Sequence, residues 1–215
     1  LVLPLSEIRS GAAAETGPKA AHLARMLEAG LPVPPGFCVT GRAYRQYLTA
    51  DHRLERIKQA LGRLSAGTAD SGAVLAQIRS AIYEAPLAAE LREQIERHWR
   101  ELGGTLAAVR SSATAEDLPG QSFAGQHETY LGVADLETCL RRVKDCWASL
   151  WSRRALEYRA RSGIDHLDAD MAVIVQALVA ACGSGSSTRP APRTRAWTTR
   201  RPSASPAWPC GPRRG

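Results

Sequence analysis

At 215 residues, 44% of them apolar, the chain is long enough to bury a sizeable core in one or two domains. No run of about 18 apolar residues occurs, so no membrane-spanning helix is expected, and the opening LVLPLSEIRS turns polar too soon for a signal peptide. The net charge of +7 does not mark a nucleic-acid surface on the body: seven of the 28 basic residues lie in 182–215, which holds no acid, and the other 21 balance the 21 acidic residues.

Thr16 is placed to cap a helix that takes Pro18 in its first turn, with Ala20, Leu23, Ala24 and Leu27 on one apolar stripe. Gly30 ends it, and Pro32, Pro34 and Pro35 prevent its continuation. Phe37 to Thr40 reads as a strand. Lys19 stands in the first turn of the helix, where the backbone attracts anions; a solvated lysine on an exposed face is the alternative. Four helices follow, over 42–48, 54–64, 74–83 and 87–102, with a loop at 66–72. Arg92, Glu93, Glu96 and Arg97 read as solvated i,i+4 pairs.

The stretch 106–133 differs in character. Leu106 to Val109 reads as a buried strand that ends on Arg110, followed by Ser111, Ser112 and Thr114. The acids Glu116 and Asp117 lead to a Pro119-Gly120 turn, then to the loop Ser122-Phe123-Ala124-Gly125-Gln126 and a second strand, Glu128 to Val133. An arginine fork fits phosphate oxygens two at a time, and a glycine lets backbone donors come close to them. The pattern suits polyphosphate binding, and a plain hairpin is the alternative.

Asp135 caps a further helix, with Leu136, Leu140, Val143, Trp147 and Leu150 on its buried seam, running on through Trp151, Ala155 and Tyr158 to Gly163. Trp147 and Trp151 read as core residues. Met171 to Ala181 is β-branched and apolar enough for a central strand. The five cysteines are odd in number and form no C-x-x-C, and Cys139 and Cys146 read as core-facing thiols in a reducing cytoplasm. His22, His52, His98, His127 and His166 show no metal-ligand spacing.

VRSSATAEDLPGQSFAGQHETYLGV (109–133) resembles the signature of the N-terminal ATP-binding domain shared by phosphoenolpyruvate synthase, pyruvate phosphate dikinase and rifampicin phosphotransferase. Gly17-Pro18-Lys19-Ala20-Ala21-His22-Leu23 resembles the family's G-G-K-A-x-x-L element, with Pro18 in place of its second glycine, and CWASLWSRRALEYR is similar as well. The resemblance spans residues 1–180 or so. It implies an α+β fold: an incomplete ATP-grasp-like nucleotide-binding domain over 1–181, with a helical subdomain. The implied ATP ligands are Lys19, Arg110, Ser111, Ser122, Gly125 and Gln126. Glu116 and Asp117 read as loop caps or lid contacts, and no catalytic or metal-binding residue is assigned.

In such enzymes phosphate passes from ATP, with Mg²⁺, through an enzyme histidine to pyruvate or another acceptor. The Mg²⁺ ligands, the histidine and the acceptor domain are expected outside this chain, which alone would be inactive. A rifampicin phosphotransferase-like fragment and a non-catalytic remnant are the alternatives.

From Cys182 the composition shifts to Pro, Ser and Arg without apolar periodicity, which predicts a disordered basic tail over 182–215. A frameshifted reading of GC-rich DNA would produce it; the rival reading is an arm that binds RNA or DNA.

Overall fold

The structure, a computed structural model of the chain, describes residues 1–9, 11–113 and 128–179. Five antiparallel strands form one sheet in the order β1-β2-β5-β3-β4. They are β1 (Val2–Pro4), β2 (Gly36–Val39), β3 (Ala107–Ala113), β4 (Thr129–Val133) and β5 (Met171–Ala177). The central place of β5 follows from its sequence, since a strand covered on both faces must be apolar throughout, and its first six residues are buried.

Side chains alternate across a strand, so register divides the molecule into two layers. Val39, Val109, Val173 and Val175 face the larger core, together with Tyr44, Ile57, Ile78, Ile95, Trp147 and Trp151. That layer is built by α2 (Gly41–Thr49), α3 (Arg53–Ser65), α4 (Ser71–Glu84), α5 (Ala89–Glu101), α6 (Leu136–Ser149) and α7 (Arg153–Arg161). The expected helical subdomain thus shares its core with the sheet. The opposite face carries Cys38, Ala172 and Ile174 and is covered by α1 (Ala13–Glu28) through Ala20 and Ala24. These alanines let the helix lie close to the strands.

Side-chain caps fix where the helices begin. Thr40, Asp70, Asp135 and Ser152 accept from the N–H groups of Ala43, Ala73, Thr138 and Ala155, which start α2, α4, α6 and α7. Asp135 fulfils the expected role, at 2.8 Å. The single helix expected from Asp135 to Gly163 is instead two. Ser152 caps a new helix after Leu150 and Trp151, and the apolar seam continues across the break because Trp151 is buried between the two. Its indole N–H donates to the Tyr44 hydroxyl at 3.0 Å.

Thr16 is not a cap: its hydroxyl donates to the Ala12 carbonyl, and Gly17 interrupts the helix beyond it. At the other end of α1, Leu31 N–H bonds to the Met26 carbonyl and Gly30 N–H to that of Leu27, which closes the helix as Gly30 predicts. Glu96 pairs with Arg100 one turn on, whereas Arg92 reaches across to Glu137 on α6.

Cys38, Cys139 and Cys146 are buried, and burial pushes the thiols of Cys38 and Cys139 up to about 12. Among the described residues no helix is long and apolar enough to cross a membrane.

Candidate functional site

β3 runs further than its apolar residues alone indicate. Arg110 was expected after the strand and lies inside it, paired with Ile174 of β5 and Thr129 of β4. Pairing continues through Ser111, Ser112 and Ala113. Both serines are fully buried, and their hydroxyls are tolerated there because each is hydrogen-bonded, that of Ser111 to the Glu128 carbonyl and that of Ser112 to the Lys19 N–H.

Register then decides which groups share a face. Ile174 belongs to the layer under α1, so its partner Arg110 also points to the α1 side. Ser112, paired with Ala172, does the same. Arg110 and Ser112 are two positions apart on the strand, a spacing of about 7 Å along one face.

Ser112 is where α1 meets the sheet. Its Oγ accepts the main-chain N–H of Lys19 at 3.3 Å, and the Lys19 ammonium donates to the Ser111 carbonyl at 2.7 Å. Gly17 lies against the same serine. A Cβ on Gly17 would stand 2.2 Å from Ser112 Oγ and 2.5 Å from its carbonyl oxygen, and the backbone there has φ +73°. Both facts require glycine. Pro18 follows as the first residue of the regular helix, where its fixed φ suits the start and its missing N–H costs nothing. The substitution of proline for the family's second glycine therefore leaves Lys19 anchored on β3.

The structure thus brings Lys19, in the first turn of the regular helix, and Arg110 to one face of β3. Ser111 contributes differently from the expectation. Its hydroxyl belongs to the opposite layer and donates to the Glu128 carbonyl at 3.4 Å, while its own carbonyl holds Lys19. The hydroxyl on the Arg110 face is that of Ser112, which is not among the ligands the resemblance implies. The signal was the two-residue period of the strand, which sets 110 and 112 together and 111 apart.

Ser122, Gly125 and Gln126, with Glu116 and Asp117, lie outside the described residues. The described residues on either side of 114–127, Ala113 and Glu128, both stand at the Arg110–Ser112 end of the sheet.

Chemically, two cations on one face, one of them anchored near a helix start, suit a polyanion: the ammonium acts as a point charge and the guanidinium as a planar fork. Among the described residues, no group of three or more His, Cys, Asp or Glu side chains could hold a metal ion.

The sequence matches the family described as "Pyruvate phosphate dikinase, AMP/ATP-binding domain" over residues 13–195. It is 44% identical over 193 residues to "Phosphoenolpyruvate synthase" of Aeropyrum pernix, covering 86% of this chain and 24% of that protein. It is 40% identical over 188 residues to a "Rifampicin phosphotransferase" of a Streptomyces species, covering 86% of this chain and 22% of the relative. Against "Phosphoenolpyruvate synthase" of Pyrococcus furiosus the identity is 38% over 210 residues, covering 79% and 26%. The chain spans about a quarter of the length of these relatives.

Proposed function

The chain belongs to the pyruvate phosphate dikinase AMP/ATP-binding domain family, and from that premise we propose that it is the ATP-binding part of a phosphotransferase of the phosphoenolpyruvate synthase type. In this reading phosphate passes from ATP to an enzyme histidine and then to pyruvate. One observation carries the assignment of the site: Lys19 and Arg110 share one face of β3, with the lysine held on the Ser111 carbonyl at 2.7 Å.

Lys19 neutralises the phosphate tail and Arg110 grips its oxygens in pairs. Ser122, Gly125 and Gln126, on the segment that leaves this end of the sheet, close over the phosphates and supply backbone donors. Mg²⁺ would screen the phosphate charge when bound. No carboxylate cluster among the described residues fits it, and its ligands are assigned to the portion of the relatives that this chain does not span. The five-stranded sheet with α1 beneath it is read as one lobe of an ATP-grasp-like fold, and the nucleotide as held against that lobe. Three buried thiols suit a reducing cytoplasm.

The matching relatives carry names with two different acceptors, at 44% and 40% identity. What they share in this region is therefore the donor site, and a rifampicin phosphotransferase-like role is the second reading.

The test is whether the chain binds ATP. Titration with ATP and Mg²⁺ is expected to give saturable heat and to raise the melting temperature. At 100 times the dissociation constant the added stability is about 2.7 kcal/mol. A melting temperature that does not move with ATP would contradict the proposal.

A further inference from the structure

We propose that the groove where the end of α4, the start of α5 and one face of α6 meet is a docking site for an acidic segment of a partner protein, one that sets an apolar side chain between carboxylates. The groove is separate from the nucleotide site, since none of its residues lies on α1 or β3.

The groove has a volume of about 540 Å³. Its base is apolar. Leu140 reaches it from the buried core, Leu87 is half-buried beside it, and Tyr83, 40% exposed, forms part of the wall.

The rim is charged, and the helix period explains how. Residues 137, 141 and 144 are four and three apart on α6, so Glu137, Arg141 and Lys144 share one side of it. Arg92 reaches over from α5 and pairs with Glu137. That leaves two cations with no carboxylate of their own in the groove. Arg141 is exposed and has no hydrogen bond or ion pair among the described residues. The Lys144 ammonium is fixed in place, donating to the carbonyls of Tyr83 and Ala85 at 3.1 and 2.6 Å. Burial and, after it, the charge of Arg53 lower the pKa of Lys144 from the usual lysine value. A carboxylate beside the ammonium would offset the second of these effects.

Charge complementarity therefore selects an acidic occupant. The chain's own stretch 182–215, with seven arginines and no acid, carries the wrong sign. Openness selects a polypeptide. The Arg92 and Glu137 side chains on the rim are 46% and 66% exposed, so a small molecule would keep much of its surface in water, whereas small-ligand sites bury most of it. An apolar centre, a charged rim, a tyrosine and two arginines are the make-up of a protein interface.

The test is a fluorescence titration with a labelled peptide of glutamates around a single leucine. Saturable binding is expected, and added salt should weaken it. Arg141→Glu, which reverses an exposed rim charge, is expected to weaken it roughly tenfold while the melting temperature stays close to that of wild type. A peptide with serine for the leucine should bind more weakly than the parent. No saturable binding, equal binding of the serine peptide, or binding that Arg141→Glu leaves unchanged would overturn the proposal. So would a single-stranded RNA that binds more tightly than the peptide and is released by Arg141→Glu, which would give the groove to nucleic acid. Self-association of the chain that the same substitution abolishes would give it to a second copy and overturn the proposal as well.

Discussion

Gly17→Ala is expected to lower the folding stability by about 2–4 kcal/mol, the sum of a left-handed backbone imposed on a residue with a Cβ and of overpacking. The new methyl would fall inside the contact distance of both Ser112 Oγ and the Ser112 carbonyl oxygen, at 2.2 and 2.5 Å. The carbonyl oxygen belongs to the backbone of a paired strand and cannot turn aside as a side chain can, so relief requires α1 to lift from β3 or its first turn to rewind. Both movements carry Lys19 away from the Ser111 carbonyl. Stability and ATP affinity should therefore fall together, read by urea unfolding and by titration on the same preparation. Gly62→Ala is the control. Gly62 lies within α3, and nothing stands within 4 Å of a Cβ added there, so alanine should stabilise by about 0.5–1 kcal/mol. A Gly17→Ala protein as stable as wild type would mean that α1 does not rest on Ser112.

Arg110→Ala is expected to raise the dissociation constant for ATP by about 10- to 100-fold, from the loss of charge-assisted hydrogen bonds of about 1.5–3 kcal/mol. Arg110→Lys should recover only part of that loss, because an ammonium keeps the charge and loses the fork that engages two oxygens at once. If lysine restores full affinity, Arg110 acts by charge alone. If alanine binds ATP as wild type does, the guanidinium is not a ligand.

Much of this architecture is legible in the residues, where the cause is local. Gly30 and the prolines after it end α1, and Asp135 starts α6 by accepting the Thr138 N–H, because caps act within one turn. The central strand is legible in MAVIVQA because a strand covered on both faces has no polar alternation.

What escaped a local reading depends on partners far along the chain. The strand continues through Arg110 and the serines because β5 pairs with them from residue 171 onward. The break before α7 is hidden by Trp151, which keeps the apolar period while the helix stops. Gly17 is visible only as part of the family-like element, and the demand for glycine there comes from Ser112, 95 positions away. The exchange of roles between Ser111 and Ser112 has the same origin, since only the register fixes which hydroxyl shares a face with Arg110. The bulge at Leu131-Gly132 likewise appears only once β4 is laid against β3.

The most direct measurement of the central claim is a crystal structure of the chain with a non-hydrolysable ATP analogue. The phosphates are expected on the α1 side of β3, within hydrogen-bonding distance of both the Lys19 ammonium and the Arg110 guanidinium. An analogue bound elsewhere, or one touching only one of these two cations, would contradict it.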